Sequence, residues 1–178
     1  MNGFEKCVEP LLSRRSVRVF EDRDVPLELI LKALDVARHA PSARNSQPWR
    51  FVVIRDRGKL EELSKIHVGA APLRRARAAV VVLADMEASP SSYVADGAIA
   101  ATYLWLALHC LGLGAVWIQT LRNVEEVRHA VKAPGKYVPV AILAIGWPAE
   151  KPIAKPRKAL KEVVDLEEFG KGLGEARS

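Results

Sequence analysis

The stretch Gly97–Leu121 reads GAIAATYLWLALHCLGLGAVWIQTL and contains no Asp, Glu, Lys or Arg. Two readings compete for it. A hydropathy window takes a run of this length for a membrane span. But Gly112 and Gly114 divide it, and Ala115-Val116-Trp117-Ile118 after them has strand character. A buried helix that stops at Gly112-Leu113-Gly114 and feeds a buried strand explains the same composition. The chain therefore reads as globular, with no membrane partner. Tyr93 to Leu111 becomes a long central helix, apolar nearly all round, with Asp96 near its start and His109 near its end, both suited to its dipole.

Working toward the N-terminus, Ala78 to Ala84 is an unbroken, valine-rich apolar run, as expected of a strand buried on both faces. Gly58 to Ile66 is an amphipathic helix, and Arg50 to Arg55 a short apolar strand with charged ends. Pro26 and Glu28 open a helix whose buried face is Leu27, Ile30, Leu31, Leu34 and Ala37. Phe4, Cys7, Val8, Leu11 and Leu12 recur at helical spacing up to about Ser13. Toward the C-terminus, Asn123-Val124-Glu125-Glu126 resembles a capping box and starts a short helix to about Val131. Tyr137 to Ile145 is a further apolar strand, ended by Gly146-Trp147-Pro148, and a charged, proline-bearing tail follows from Ala149. Helices interleaved with four to five strands make one α+β domain over 1–178: a central mixed sheet flanked by helices, a long buried helix, and an extended C-terminal arm.

Between a helix and a strand lies Pro41-Ser42-Ala43-Arg44-Asn45-Ser46-Gln47-Pro48-Trp49. Proline fixes φ and disfavours helix in the residue before it, so the chain leaves helix at Pro41 and Gln47 is expected to be extended. Ser42 and Asn45 are placed to share a turn. The two amides, Asn45 and Gln47, each offer a donor and an acceptor, equipment for reading a flat heterocycle whose edge alternates C=O and N–H. The alternative is a polar loop whose Asn and Ser cap their own backbone.

The net charge is +6, which favours anionic partners such as a phosphate-bearing cofactor. Only 6% of residues are aromatic and no basic run is interleaved with them, so nucleic-acid binding would rest on charge alone. Arg14-Arg15-Ser16-Val17-Arg18 places three guanidiniums within five residues; they repel one another unless an anion sits among them, or the segment is a solvated turn. Lys155-Pro156-Arg157-Lys158 is a second basic cluster, and Arg74, Arg75 and Arg77 a third, read as a solvated flank. Cys7 and Cys110 belong to no metal or disulfide spacing; both read as small buried hydrophobes, and a reducing cytoplasm fits them. The N-terminus lacks the apolar core of a secretion signal.

No nucleophile–base arrangement, metal cluster or carboxylate pair stands out, so no catalytic side chain is assigned. Anion sites and amide readers without an acid, base or nucleophile suggest that a bound cofactor supplies the reactivity.

In this order and spacing, Arg14-Arg15-Ser16-Val17-Arg18, the Pro41–Trp49 loop, Asp96, Gly112-Leu113-Gly114 before Val116-Trp117-Ile118, Gly146 and Lys155-Pro156-Arg157 resemble the nitroreductase family of flavoproteins over nearly the whole chain. The resemblance implies a homodimer with two FMN sites at its interface. It implies that Arg14, Lys155 and Arg157 hold the phosphate, while Arg15, Ser16 and Arg18 line the phosphate, ribityl chain and pyrimidine edge. Pro41, Ser42, Ala43 and Asn45 would approach from the other subunit, with Gln47 supporting the loop. The backbone around Val116, Trp117, Ile118, Gln119 and Thr120 would face the isoalloxazine.

The activity so implied is ping-pong hydride transfer from NADH or NADPH through flavin N5 to a small oxidised acceptor such as a nitroaromatic or quinone. Arg18 would stabilise the reduced, anionic ring. Related enzymes put the same fold to dehalogenation or flavin cleavage, and a flavin-binding module without turnover would share the same residues. Two departures bear on substrate. Only Asp85 to Tyr93 stands where larger members carry a helical excursion, and Gly69-Ala70-Ala71-Pro72 stands where many carry a polar flavin contact.

Overall fold

The computed structural model describes residues 2–173; Met1 and residues 174–178 lie outside the described residues. Five helices, α1 Gly3–Ser13, α2 Leu27–Ala37, α3 Arg57–Leu63, α4 Tyr93–Cys110 and α5 Val124–Ala130, are interleaved with four strands, β1 Trp49–Ile54, β2 Ala78–Asp85, β3 Gly114–Gln119 and β4 Tyr137–Gly146. The strands form one sheet in the order β1-β2-β4-β3, and every pairing among them is antiparallel. The parallel element expected of a mixed sheet is confined to a single bridge, Ser16 to Ala115, on the outer edge of β3.

The valine-rich run behaves as its composition dictates. Every residue of β2 is buried, and its side chains alternate between two cores. Ala79, Val81 and Leu83 join Leu60, Leu63, Leu73 and Val127 beneath α3 and α5. Val80 and Val82 join Ile30, Ala33, Leu104 and Leu108 beneath α2 and α4. The sheet is thus the middle of three layers, with α4 laid across β2 and β4. The Gly97–Leu121 run resolves into the C-terminal part of α4, a turn, and edge strand β3. Among the described residues no helix is long and apolar enough to cross a membrane.

Three expectations are corrected. Cys7 and Cys110 are exposed, not buried. Leu31 is exposed, because α2 docks on α4 through Ile30, Ala33 and Ala37 instead. The Asn123 side chain caps no backbone N–H. The first two share a cause: α1, α2 and α4 carry more apolar surface than one sheet can cover. Leu11, Val36, Tyr103, Leu106 and Cys110 are left around an open apolar groove of 560 Å³.

Candidate functional site

The segment after α1 is held along the outer edge of β3. Val17 N–H donates to Ala115 O at 3.0 Å, and Glu21 N–H to Trp147 O at 2.9 Å. Val17 and Phe20 turn inward to the core, and two glycines make room for them. A Cβ at Gly114 would stand 2.8 Å from Val17 Cγ1, and one at Gly146 2.7 Å from Phe20 Cδ1. Side chains alternate along an extended segment, so Ser16 and Arg18 face outward. The tail follows the same segment: Ala149 N–H donates to Val19 O, and Glu150 Oε1 accepts from Arg18 N–H at 2.5 Å and Val19 N–H at 3.1 Å.

This course brings the two basic clusters together. Arg14, Arg15, Ser16 and Arg18 from one side and Pro152, Ile153, Lys155 and Arg157 from the other line a cavity of 140 Å³. It is a cradle of five cationic side chains with no carboxylate in its lining. Burial lowers the pKa of Arg14, and the charges of Arg15 and Arg157 lower it further. An anion in the cradle would relieve that repulsion. The Arg14 guanidinium lies over the Trp105 ring, its Cζ 3.9 Å from the ring centroid.

The edge of β3 continues from the cradle. Ala115 O accepts from both Val17 N–H and Trp105 Nε1–H, the latter at 3.1 Å. Further along, Gln119 O lies 2.8 Å from His67 Nε2; a carbonyl only accepts, so Nε2 carries the proton. Backbone groups of an antiparallel edge strand alternate in direction, which turns the N–H and C=O of Trp117 outward between these two anchors. Val116 and Ile118 point into the core, and buried Thr120 donates its hydroxyl to Pro139 O at 2.6 Å. Of the five residues Val116 to Thr120, Trp117 turns both its N–H and its C=O to this edge, while the C=O of Gln119 is taken by His67. His67, missed in the sequence reading, reaches this edge from the turn at Val68–Arg74, where only Gly69-Ala70-Ala71-Pro72 had been considered.

The Pro41–Trp49 loop is built differently from its expected form. Ala43–Asn45 is a 3₁₀ turn, and Ser42 and Asn45 do share it, Asn45 N–H donating to Ser42 O at 3.1 Å. Gln47 is not extended; its φ is 45°, and Arg44 and Asn45 have φ of 54° and 56°. The chain must fold back within these residues, because Pro48 O accepts Asp85 N–H at 2.8 Å as β1 begins. Ser42 Oγ accepts Gln47 N–H at 3.0 Å and braces the reversal. Asp96, assigned only to the helix dipole from sequence, is nearly fully buried and reaches the loop: its Oδ1 accepts Ala43 N–H and its Oδ2 the Ser89 hydroxyl. A carboxylate in an otherwise apolar helix face was the available signal. Within one chain, Pro41, Ser42, Ala43, Asn45 and Gln47 do not line the cradle. Among the described residues no group of three or more His, Cys, Asp or Glu side chains is gathered to hold a metal ion.

The sequence and the fold have counterparts among known proteins. The sequence profile of the Nitroreductase family matches residues 11–91 and 70–147. A candidate NADH dehydrogenase/NAD(P)H nitroreductase of Methanothermobacter thermautotrophicus is 40% identical over 150 residues, covering 82% of this chain and 78% of that protein. A protein of the same description from Parabacteroides distasonis, 30% identical, superposes with a TM-score of 0.88 over 92% of this chain and 99% of the other. A candidate nitroreductase from Desulfovibrio desulfuricans, solved in complex with FMN, is 29% identical and superposes with a TM-score of 0.85 over 95% and 99%. With its fold and its sequence in agreement, this chain belongs to the nitroreductase family.

Proposed function

We propose that the protein is an FMN-dependent NAD(P)H oxidoreductase that works as a homodimer. The observation that carries this reading is the five-cation cradle at one end of an open β-edge. Its residues fit a phosphate-bearing, flat cofactor: the cradle has charge without internal neutralisation, and the edge presents one N–H and one C=O in line with it. Arg14, Lys155 and Arg157 hold the phosphate, and Arg15, Ser16 and Arg18 line the phosphate, ribityl chain and pyrimidine edge. The Trp117 backbone faces the ring. Bound FMN supplies two-electron transfer from NADH or NADPH to an oxidised small molecule such as a nitroaromatic or quinone. The chain's own contribution is binding, orientation and a cationic field, with Arg18 placed to favour negative charge on the ring.

The dimer is supported by the apolar groove along α1, α2 and α4, and by the separation of the Ser/Asn/Gln loop from the cradle within one chain. In this reading the loop, Pro41 to Gln47, completes the site of the partner subunit. The unpaired cysteines accord with a reducing cytoplasm. The test is an absorbance spectrum of purified protein before and after anaerobic NADH and NADPH. Flavin bands that bleach are expected. Bands that persist with both would leave a flavin binder and overturn the reductase, and failure to take up added FMN would overturn the flavoprotein reading itself.

A further inference from the structure

Arg14 differs from its neighbours in how it is held. Arg15 donates to the carbonyls of Leu12 and Arg14 at 2.7 and 2.8 Å, and Arg18 and Arg157 each approach a backbone carbonyl at 3.4 Å. Among the described residues no N–H of the Arg14 side chain has a protein acceptor. It is held instead over an aromatic face, its Cζ 3.9 Å from the centroid of the Trp105 ring. Stacking fixes a guanidinium while leaving its in-plane donors free, whereas an ion pair would occupy two of them. Trp105 is itself fixed. It projects from α4, its Nε1–H bonds Ala115 O, and its ring lies 6.3 Å from that of Trp117 at 42°. The carbonyl it binds is the one that anchors Val17.

We infer that Trp105 is a positioning residue for phosphate recognition: it is the platform that keeps Arg14 in the cradle with every donor free, and so sets the preference for FMN over riboflavin. The inference rests on the proposal that the FMN phosphate occupies the cradle. Without the platform, Arg14 stands beside Arg15 and Arg157 with nothing to offset their repulsion, and it swings to solvent. With the ring in place, the guanidinium meets the phosphate without reorganising.

The test is the ratio of Kd values for riboflavin and FMN, measured by flavin fluorescence on apoprotein. A general loss of packing affects both ligands and cancels in the ratio. Trp105→Leu should lower the ratio about tenfold by weakening FMN alone, the scale of a partly desolvated cation–π contact. Trp105→Phe keeps a π face and should hold the ratio within about threefold of the parent. In an Arg14→Ala background, Trp105→Leu should leave the ratio unchanged. Trp105→Met, long and flexible but without a π face, serves the same test if the leucine variant does not fold. A leucine or methionine variant that weakens both ligands equally overturns the inference, as does a phenylalanine variant that loses as much as leucine. If Arg14→Ala alone leaves the ratio intact, the phosphate is not in the cradle, and that placement falls together with the role of Trp105.

Discussion

Asp96 Oδ1 accepts the backbone N–H of Ala43 at 3.0 Å, tying the first turn of α4 to the loop that follows α2. The second carboxylate oxygen takes the Ser89 hydroxyl at 2.7 Å. One buried side chain thus holds both the loop and the short link from Asp85 to Tyr93. Asp96→Ala leaves an N–H and a hydroxyl without their acceptor and should cost about 2–4 kcal/mol in urea denaturation. Asp96→Asn retains one acceptor and should cost less than half as much. An alanine variant within about 0.5 kcal/mol of the parent would mean that the loop has other support.

The cradle predicts a graded loss of cofactor. Arg14→Ala and Arg157→Ala each remove a charge-assisted contact to phosphate and should weaken FMN by roughly tenfold to a hundredfold. Arg75→Ala, a cation on the same chain but outside the cradle, should leave FMN affinity within about twofold, since the effect of an exposed distant charge is screened. Titration at two salt concentrations checks both statements. Equal losses at all three positions would reduce the site to bulk charge.

Close packing predicts the effect of adding one methyl group. A Cβ at Gly146 would fall 2.7–2.8 Å from three atoms of Phe20, a buried member of the core. Gly146→Ala should therefore destabilise by about 1–3 kcal/mol. It should also weaken FMN, because Phe20 and Arg18 belong to one extended segment. A variant with parent stability and lower FMN affinity would show that the segment shifts without strain.

Much of this was legible in the sequence, and the reasons are specific. The four strands lie within a residue or two of where Arg50–Arg55, Ala78–Ala84, Ala115–Ile118 and Tyr137–Ile145 place them, because unbroken apolar runs bounded by Gly, Pro or charge leave few alternatives. That the Arg14 and Lys155 clusters could meet on one phosphate was legible from their charge, but the route that brings them together was not. It depends on Glu150 and Ala149 pairing with a segment some 130 positions earlier, which no local pattern encodes. The exposure of Cys7 and Leu31 was illegible because periodicity reports an apolar face and not what covers it. The left-handed backbone at Gln47 ran against the expected bias of a residue before proline, and tertiary closure of β1 onto Asp85 overrode it.

His109 gives the pH dependence. Its Nε2 lies 2.7 Å from Ser13 Oγ at the junction of α1 and α4. Burial lowers its pKa below the ordinary 6.5; Glu9 raises it, and the guanidiniums of Arg14 and Arg15 lower it. The net shift is downward, so between the folded and unfolded values the unfolded chain binds the extra proton. Stability then rises with pH through that window, is complete above about 6.5, and falls as pH drops below it. The neutral ring bonds Ser13 Oγ in a direction set by its tautomer, whereas the protonated ring can only donate there and adds a third positive charge beside Arg14 and Arg15. Urea midpoints of the apoprotein should decline from pH 7 to pH 5.5, and His109→Gln should flatten that part of the profile while Ser13→Ala should not abolish it. A decline of equal size in the glutamine variant would assign the pH dependence to other groups, and a midpoint that rises on acidification would reverse the sign argued here.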